Sequence, residues 1–190
     1  MGAVPGRSTR SLGIFMEIRS FIVGITIGGV SGAALSADVP KYLPKEHARV
    51  AKAWLNEHAG LRIATDADCG CDDDLKRERT QSSGAWKAKP SYHPYYVAGD
   101  FNQDGTADFA IGVLDSGAPG SFRVVVFNGP FGNGVSPQPA FVSEPRGLGQ
   151  GMFFGPPRLR PFMLVVGAFE SHGASLVPTA KGYELRESQQ

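Results

Sequence analysis

Cys69 and Cys71 are the only cysteines among 190 residues, so no framework of disulfides can hold this chain together. Charge of one sign is lacking as well. Nineteen basic residues against 18 acidic ones leave a formal charge of +1, and a chain so balanced has no electrostatic reason to seek DNA or RNA. No apolar run reaches the roughly 18 to 20 residues of a membrane helix, because the uncharged stretch from Ser20 to Ala37 is interrupted by glycines. There is no H-E-x-x-H pair and no G-x-S-x-G elbow, so neither a zinc protease nor a serine hydrolase announces itself.

What the chain has is turn formers and enough apolar residues for one core. Gly (25) and Pro (14) supply about a fifth of the residues, and 42% are hydrophobic, which fits one domain of ordinary size and excludes a disordered chain. The N-terminal segment reads as an address. Arg7, Arg10 and Arg19 precede an apolar centre from Phe21 to Val30, and small residues from Ser31 to Ala37 then offer a cleavage site. This is the order of a secretory signal peptide. Residues 1–37 are therefore expected to be removed, leaving 38–190 as a single α+β domain that is periplasmic or secreted, with no membrane span after cleavage.

Within 38–190 helices come first. His47, Val50, Ala51, Trp54, Leu55 and His58 recur at steps of three and four between Pro44 and Ala59, which predicts one amphipathic helix. Leu61 to Ile63 follows as a short strand. Asp72-Asp73-Asp74 ahead of Lys76, Arg77 and Arg79 suits the dipole of a second short helix. Past Ser83-Gly84 the pattern changes to strands: Tyr95 to Ala98, Phe109 to Leu114, Phe122 to Phe127, Met163 to Phe169, and a pair near Ser175 to Thr179 and Tyr183 to Arg186. Phe109, Ile111 and Val113 alternate with Ala110 and Gly112 and predict one packed face. The expected architecture is N-terminal helices packed on a small, mainly antiparallel sheet. Asn128 to Pro161, rich in proline and glycine, is expected to be an irregular surface excursion.

One constellation carries chemistry. Residues 100–108 read Asp100-Phe101-Asn102-Gln103-Asp104-Gly105-Thr106-Ala107-Asp108, a D-x-N-x-D-G-x-x-D spacing. Oxygen donors at positions 1, 3, 5 and 9, with glycine at 6, are what a short loop needs to wrap a hard cation. Asp100, Asn102, Asp104 and Asp108 offer side-chain oxygens, and the Thr106 carbonyl could add another. Calcium tolerates such an irregular shell better than magnesium. An EF-hand would place Glu at position 12, where this chain has Ile111, so the loop is instead the tip of a β-hairpin. A metal-free turn is the alternative, since Asp, Asn and Gly also serve turns for backbone reasons.

The stretch from Ala98 through Gly112, followed by Gly117-Ala118-Pro119-Gly120 and Phe122 to Gly129, resembles the calcium-binding core of the FG-GAP or VCBS repeat of integrin-like β-propellers. The resemblance covers 95–129 and implies Ca2+ held by Asp100, Asn102, Asp104 and Asp108 through side chains and by Thr106 through its main chain. It further implies a structural ion that does no catalysis. A propeller needs about 4 to 8 blades, and no second D-x-[DN]-x-D-G occurs, so a single copy in a small sheet domain is expected.

Other candidates point to less. Cys69-Gly70-Cys71 could be a structural disulfide, a redox pair, half of a metal site or two free thiols; adjacent acids disfavour a reactive thiolate. His47, His58, His93 and His172 show no ligand spacing. Ser171-His172 and Asp115-Ser116 supply the letters of a triad without its elbow. Arg146, Arg158 and Arg160 could meet an anion, and Tyr92, Tyr95 and Tyr96 could stack on a sugar or pack in the core. The expected function is an exported, non-catalytic calcium-hairpin protein with a structural or binding role toward a protein or glycan partner. The alternatives are a periplasmic enzyme, using Cys69 and Cys71 or a hydrolytic site the sequence does not disclose, and a calcium-dependent glycan-binding module.

Overall fold

A computed structural model describes Gly2 and residues 38–132, 138–157, 160–171 and 173–187. The expected signal segment 1–37, apart from Gly2, lies outside the described residues, as do Arg158 and His172.

Helix α1 spans Lys45–Asn56, with Pro44 at its N-cap and Glu46 in its first turn, and its Val50, Ala51, Trp54 and Leu55 are buried. The expected helix from Pro44 to Ala59 is thus present with its last turn unwound, and the chain enters strand β1, Leu61–Ile63. Two further helices follow where one was expected. Helix α2, Asp66–Cys69, starts on a capping box in which Thr65 and Asp68 satisfy each other's backbone N–H groups. Gly70 then turns left-handed, and α3 runs over Asp72–Thr80 with three acids in its first turn and Arg77 and Arg79 in its last. The acidic run that reads as one helical cap therefore serves two helix starts.

The strands form two antiparallel sheets, where the sequence suggested one. The first contains six: β1, β2 (Tyr96–Gly99), β3 (Asp108–Asp115), β4 (Ser121–Phe127), β5 (Phe141–Val142) and β6 (Arg146–Gly147), with β3 and β4 at its centre. The second contains four in the order β10 (Gly182–Glu187), β9 (Gly173–Thr179), β8 (Val165–Ala168) and β7 (Gln150–Phe153). The domain is a mixed α+β fold with mainly β content. Among the described residues no helix is long and apolar enough to cross a membrane.

Strand β3 shows how the core is divided. Phe109, Ile111 and Val113 join α1 in one apolar cluster, together with Val125 and Phe127 of β4. Ala110 and Leu114 project the other way into a second cluster that contains Met152, Leu164, Val166 and Leu176. Both faces of β3 are therefore buried, against the one packed face that its alternation of large and small residues predicts. The small residues are there because another side chain occupies their space. A Cβ on Gly112 would lie 2.8 Å from Cδ1 of Tyr95, and Tyr95 is fully buried. Filling each such site with a large apolar side chain contributes about 1.5–3 kcal/mol, so the close approach of Tyr95 is what the glycine secures.

The Pro/Gly-rich connection from 128 to 161 also departs from expectation. It holds β5, β6 and β7, and β7 opens the second sheet with Met152 and Phe153 buried. Met152 donates its N–H to the Pro94 carbonyl at 2.9 Å, which ties β7 to the entry of β2.

Candidate functional site

Strands β2 and β3 pair antiparallel with Gly99 opposite Asp108, so residues 100–107 form the connecting loop of a hairpin. Within it Gln103 (φ 63°) and Gly105 (φ 86°) take left-handed conformations, which fold the backbone around the acidic side chains. The Asp104 N–H donates to Asp100 Oδ1 at 3.1 Å and to Asn102 Oδ1 at 3.0 Å. Asp100 Oδ2 accepts from the Gly105 N–H at 2.9 Å, and Asp104 Oδ1 accepts from the Thr106 N–H at 2.7 Å. Asn102 Nδ2 donates to Asp104 Oδ2 at 2.8 Å. The Thr106 N–H, then the Asn102 amide, hold the Asp104 carboxyl below its usual range.

Of the five expected donors, Asp100, Asn102 and Asp104 are brought together around one exposed turn, and Thr106 follows on the same turn. Asp108 is placed differently. Its side chain is fully buried, with Oδ2 accepting the Phe101 N–H at 2.8 Å and Oδ1 the Gly129 N–H at 3.0 Å. Burial pushes its pKa up, and those N–H groups oppose the rise. Among the described residues no group of three or more His, Cys, Asp or Glu side chains is disposed to hold a metal ion. The donors of the loop still fit a hard cation in kind. They are all oxygens, and a carboxylate oxygen that accepts one N–H keeps a second lone pair.

The remaining candidates are structural. Cys69 and Cys71 are joined in a disulfide with Cα atoms 5.1 Å apart, and both residues are buried, which shields the sulfurs from an attacking thiolate. His47 stacks on Phe109 at 4.2 Å, with Nδ1 2.8 Å from the Tyr96 hydroxyl, and burial lowers its pKa. His58 approaches the Trp54 carbonyl at 2.8 Å, and His93 stacks on Tyr42 at 3.6 Å with Asp66 3.0 Å from Nδ1. Tyr92 and Tyr95 are in the core, and Tyr96 is half-buried against His47 and Tyr42, so these tyrosines offer no open ring face. Burial pushes the Tyr95 and Tyr96 phenols up to about 12. Asp115 accepts the Gly117 N–H in a turn. Arg146 pairs with Glu187 at 3.3 Å, whereas Arg160 lies over Phe162 at 5.2 Å.

A second place was not visible in the sequence. The last turn of α3, the following loop and the ends of β7 and β8 enclose an open cavity of about 520 Å3, lined by Arg77, Glu78, Gln81, Trp86, Phe153 and Glu170 among others. Its one sequence signal is Trp86, a large aromatic in an otherwise polar stretch.

Comparison with protein families, with curated proteins and with solved structures finds no match for this chain.

Proposed function

We propose that the protein is an exported, non-catalytic module of the cell envelope or extracellular space, stabilised by one Ca2+ at the β2–β3 hairpin. The observation that carries this reading is the convergence of Asp100 Oδ1 and Asn102 Oδ1 on the Asp104 N–H, which sets the first three donors of the D-x-N-x-D series side by side. The resemblance of 95–129 to an FG-GAP or VCBS repeat supports it, as does the signal-like pattern of 1–37. Asp100, Asn102, Asp104 and the Thr106 carbonyl would hold the ion. Asp108 is buried and already bonded to two backbone N–H groups, so it is assigned first to the hairpin itself and would join the ion only through its remaining lone pairs. Bound calcium supplies positive charge where three acids lie within nine residues. The chain's own part is to fix the loop, through left-handed Gln103 and Gly105, so that little ordering remains for the ion to impose.

Calorimetric titration of residues 38–190 with calcium, paired with melting curves in calcium and in chelator, tests the assignment. One ion per chain is expected, with a dissociation constant of roughly 10⁻⁴–10⁻³ M as in extracellular modules. Saturation at about a hundred times Kd stabilises the fold by about 2.7 kcal/mol. Asp104→Ala should remove both the heat and the shift. No heat and no shift across millimolar calcium, or an unchanged isotherm in the variant, would reduce the loop to a turn.

A further inference from the structure

Helix α1 buries one side and gives the other to cations. At about 100° per residue, Lys45, Arg49 and Lys52 fall within a sector of about 60°, opposite the buried Val50, Ala51, Trp54 and Leu55. All three are exposed, as is Lys41 in the turn before the helix. From Lys45 to Lys52 the row is about 10 Å long. The acids of this stretch, Glu46 and Glu57, stand about 100–120° round from Lys45 and so off the row.

Helix stability does not account for this placement. A helix favours cations at its C-terminus and disfavours them at its N-terminus, yet Lys45 opens α1 and no basic residue occupies its last turn. Pairing does not account for it either, since among the described residues none of the four cations forms an ion pair. Arg49 donates to the carbonyls of Phe131 at 3.4 Å and of Gly132 at 3.1 Å, which holds the guanidinium in place and leaves its charge uncancelled. The whole chain is nearly neutral, so the row is a local excess of positive charge and not a sample of a basic protein.

Charge and position together select a partner. The apolar segment read as a signal ends at Ala37, and Lys41 follows within about 14 Å of extended chain, so α1 is the first folded element beside the bilayer. A convex row of cations meets a flat anionic surface without having to fit a groove, and each Lys or Arg close to such a surface strengthens binding by about fivefold. We propose that this face of α1, with Lys41, Lys45, Arg49 and Lys52, docks on anionic lipid headgroups at a membrane surface. The choice of a membrane rests on the export reading, whereas the calcium loop takes no part.

Co-sedimentation with vesicles, in chelator, tests this on residues 38–190, which hold both apolar clusters of the core. Binding is expected to vesicles containing about a third phosphatidylglycerol and not to phosphatidylcholine alone, and it should vanish at about 1 M salt, where the screening length falls to about 3 Å. Lys41→Gln, Lys45→Gln and Lys52→Gln together should weaken it by about a hundredfold. Lys76→Gln, Lys87→Gln and Lys181→Gln, the same change of charge at exposed positions elsewhere, should weaken it by less than about threefold. Removing Lys45 from the positive end of α1 relieves an unfavourable charge, so the first variant should melt no lower than the parent. Absence of binding to the anionic vesicles, equal losses in the two triple variants, equal binding to phosphatidylcholine, or a preference for heparin at equal charge concentration would each overturn the proposal. N-terminal sequencing of the chain recovered from a secreting bacterium reads the export step separately, so a failed vesicle assay on a correctly cut chain overturns the docking face and leaves the export reading standing.

Discussion

Asp108 at the root of the β2–β3 hairpin and Glu78 in the last turn of α3 are both acidic and both buried, and burial raises the pKa of each. They differ in what answers them. Each oxygen of Asp108 accepts a backbone N–H, from Phe101 and from Gly129, whereas Glu78 is met by the Trp86 side chain and its Oε2, closed off from solvent, is left without a partner. The first arrangement locks three chain segments together and gives each carboxyl oxygen a partner. The second maintains an unmet hydrogen bond where the other buried acid among the described residues, Asp108, has none. A buried acid answered by backbone on both oxygens strengthens the architecture, whereas one with an unmet oxygen is a cost that the surrounding packing carries.

The contrast is broken most severely at Asp108. Asp108→Ala strands the buried N–H groups of Phe101 and Gly129, at about 1–3 kcal/mol for each orphaned donor. Denaturant unfolding should show a loss of about 3 kcal/mol, and a loss below about 1 kcal/mol would mean that water replaces the carboxylate. Glu78→Gln should move stability the other way. A folded-state pKa raised above the usual 4.5 means that the carboxyl contributes fully below pH 4.5 and that its contribution is lost as pH rises through the folded value. The amide carries no charge to desolvate, so the variant should be more stable than the parent by about 1 kcal/mol at pH 7. The two should converge near pH 4. A pH-independent difference would show that Glu78 is uncharged throughout or is solvated. The smallest effect belongs to Asp104, whose carboxyl is exposed. In chelator, Asp104→Ala should leave the melting midpoint unchanged, and a large drop there would make the loop a structural turn in the manner of Asp108.

Much of this fold was legible where periodicity is strong. The three- and four-residue steps of α1 and the extents of β1 and β4 follow directly from apolar spacing, because those segments each bury a defined face. β7 was not legible, since Gly149, Gly151 and Gly155 around it weaken any strand signal even though Met152 and Phe153 are buried. Ala110 and Gly112 read as the exposed side of β3, whereas they are the side on which Tyr95 closes in. In the hairpin, spacing gathered Asp100, Asn102 and Asp104 but could not tell whether Asp108 turns toward a cation or toward backbone N–H groups. Glu78 was least visible of all. A glutamate between Arg77 and Arg79 reads as part of a solvated helical face, and only tertiary packing removes it from water.

The disulfide joins the last residue of α2 to the residue that precedes α3, so the ring it closes spans three residues. On chain-entropy grounds such a ring restrains the unfolded chain by roughly 1.6 kcal/mol, about half the effect of a fifteen-residue loop. Its work is local, fixing the corner at which one helix stops and the next begins. The cross-link itself is packed in the core cluster that holds Tyr95, Phe122 and Met152, but it ties none of the strands of that cluster to one another. Reduction is therefore expected to loosen that corner, and the part of the core packed on it, before it disturbs the pairing of the sheets.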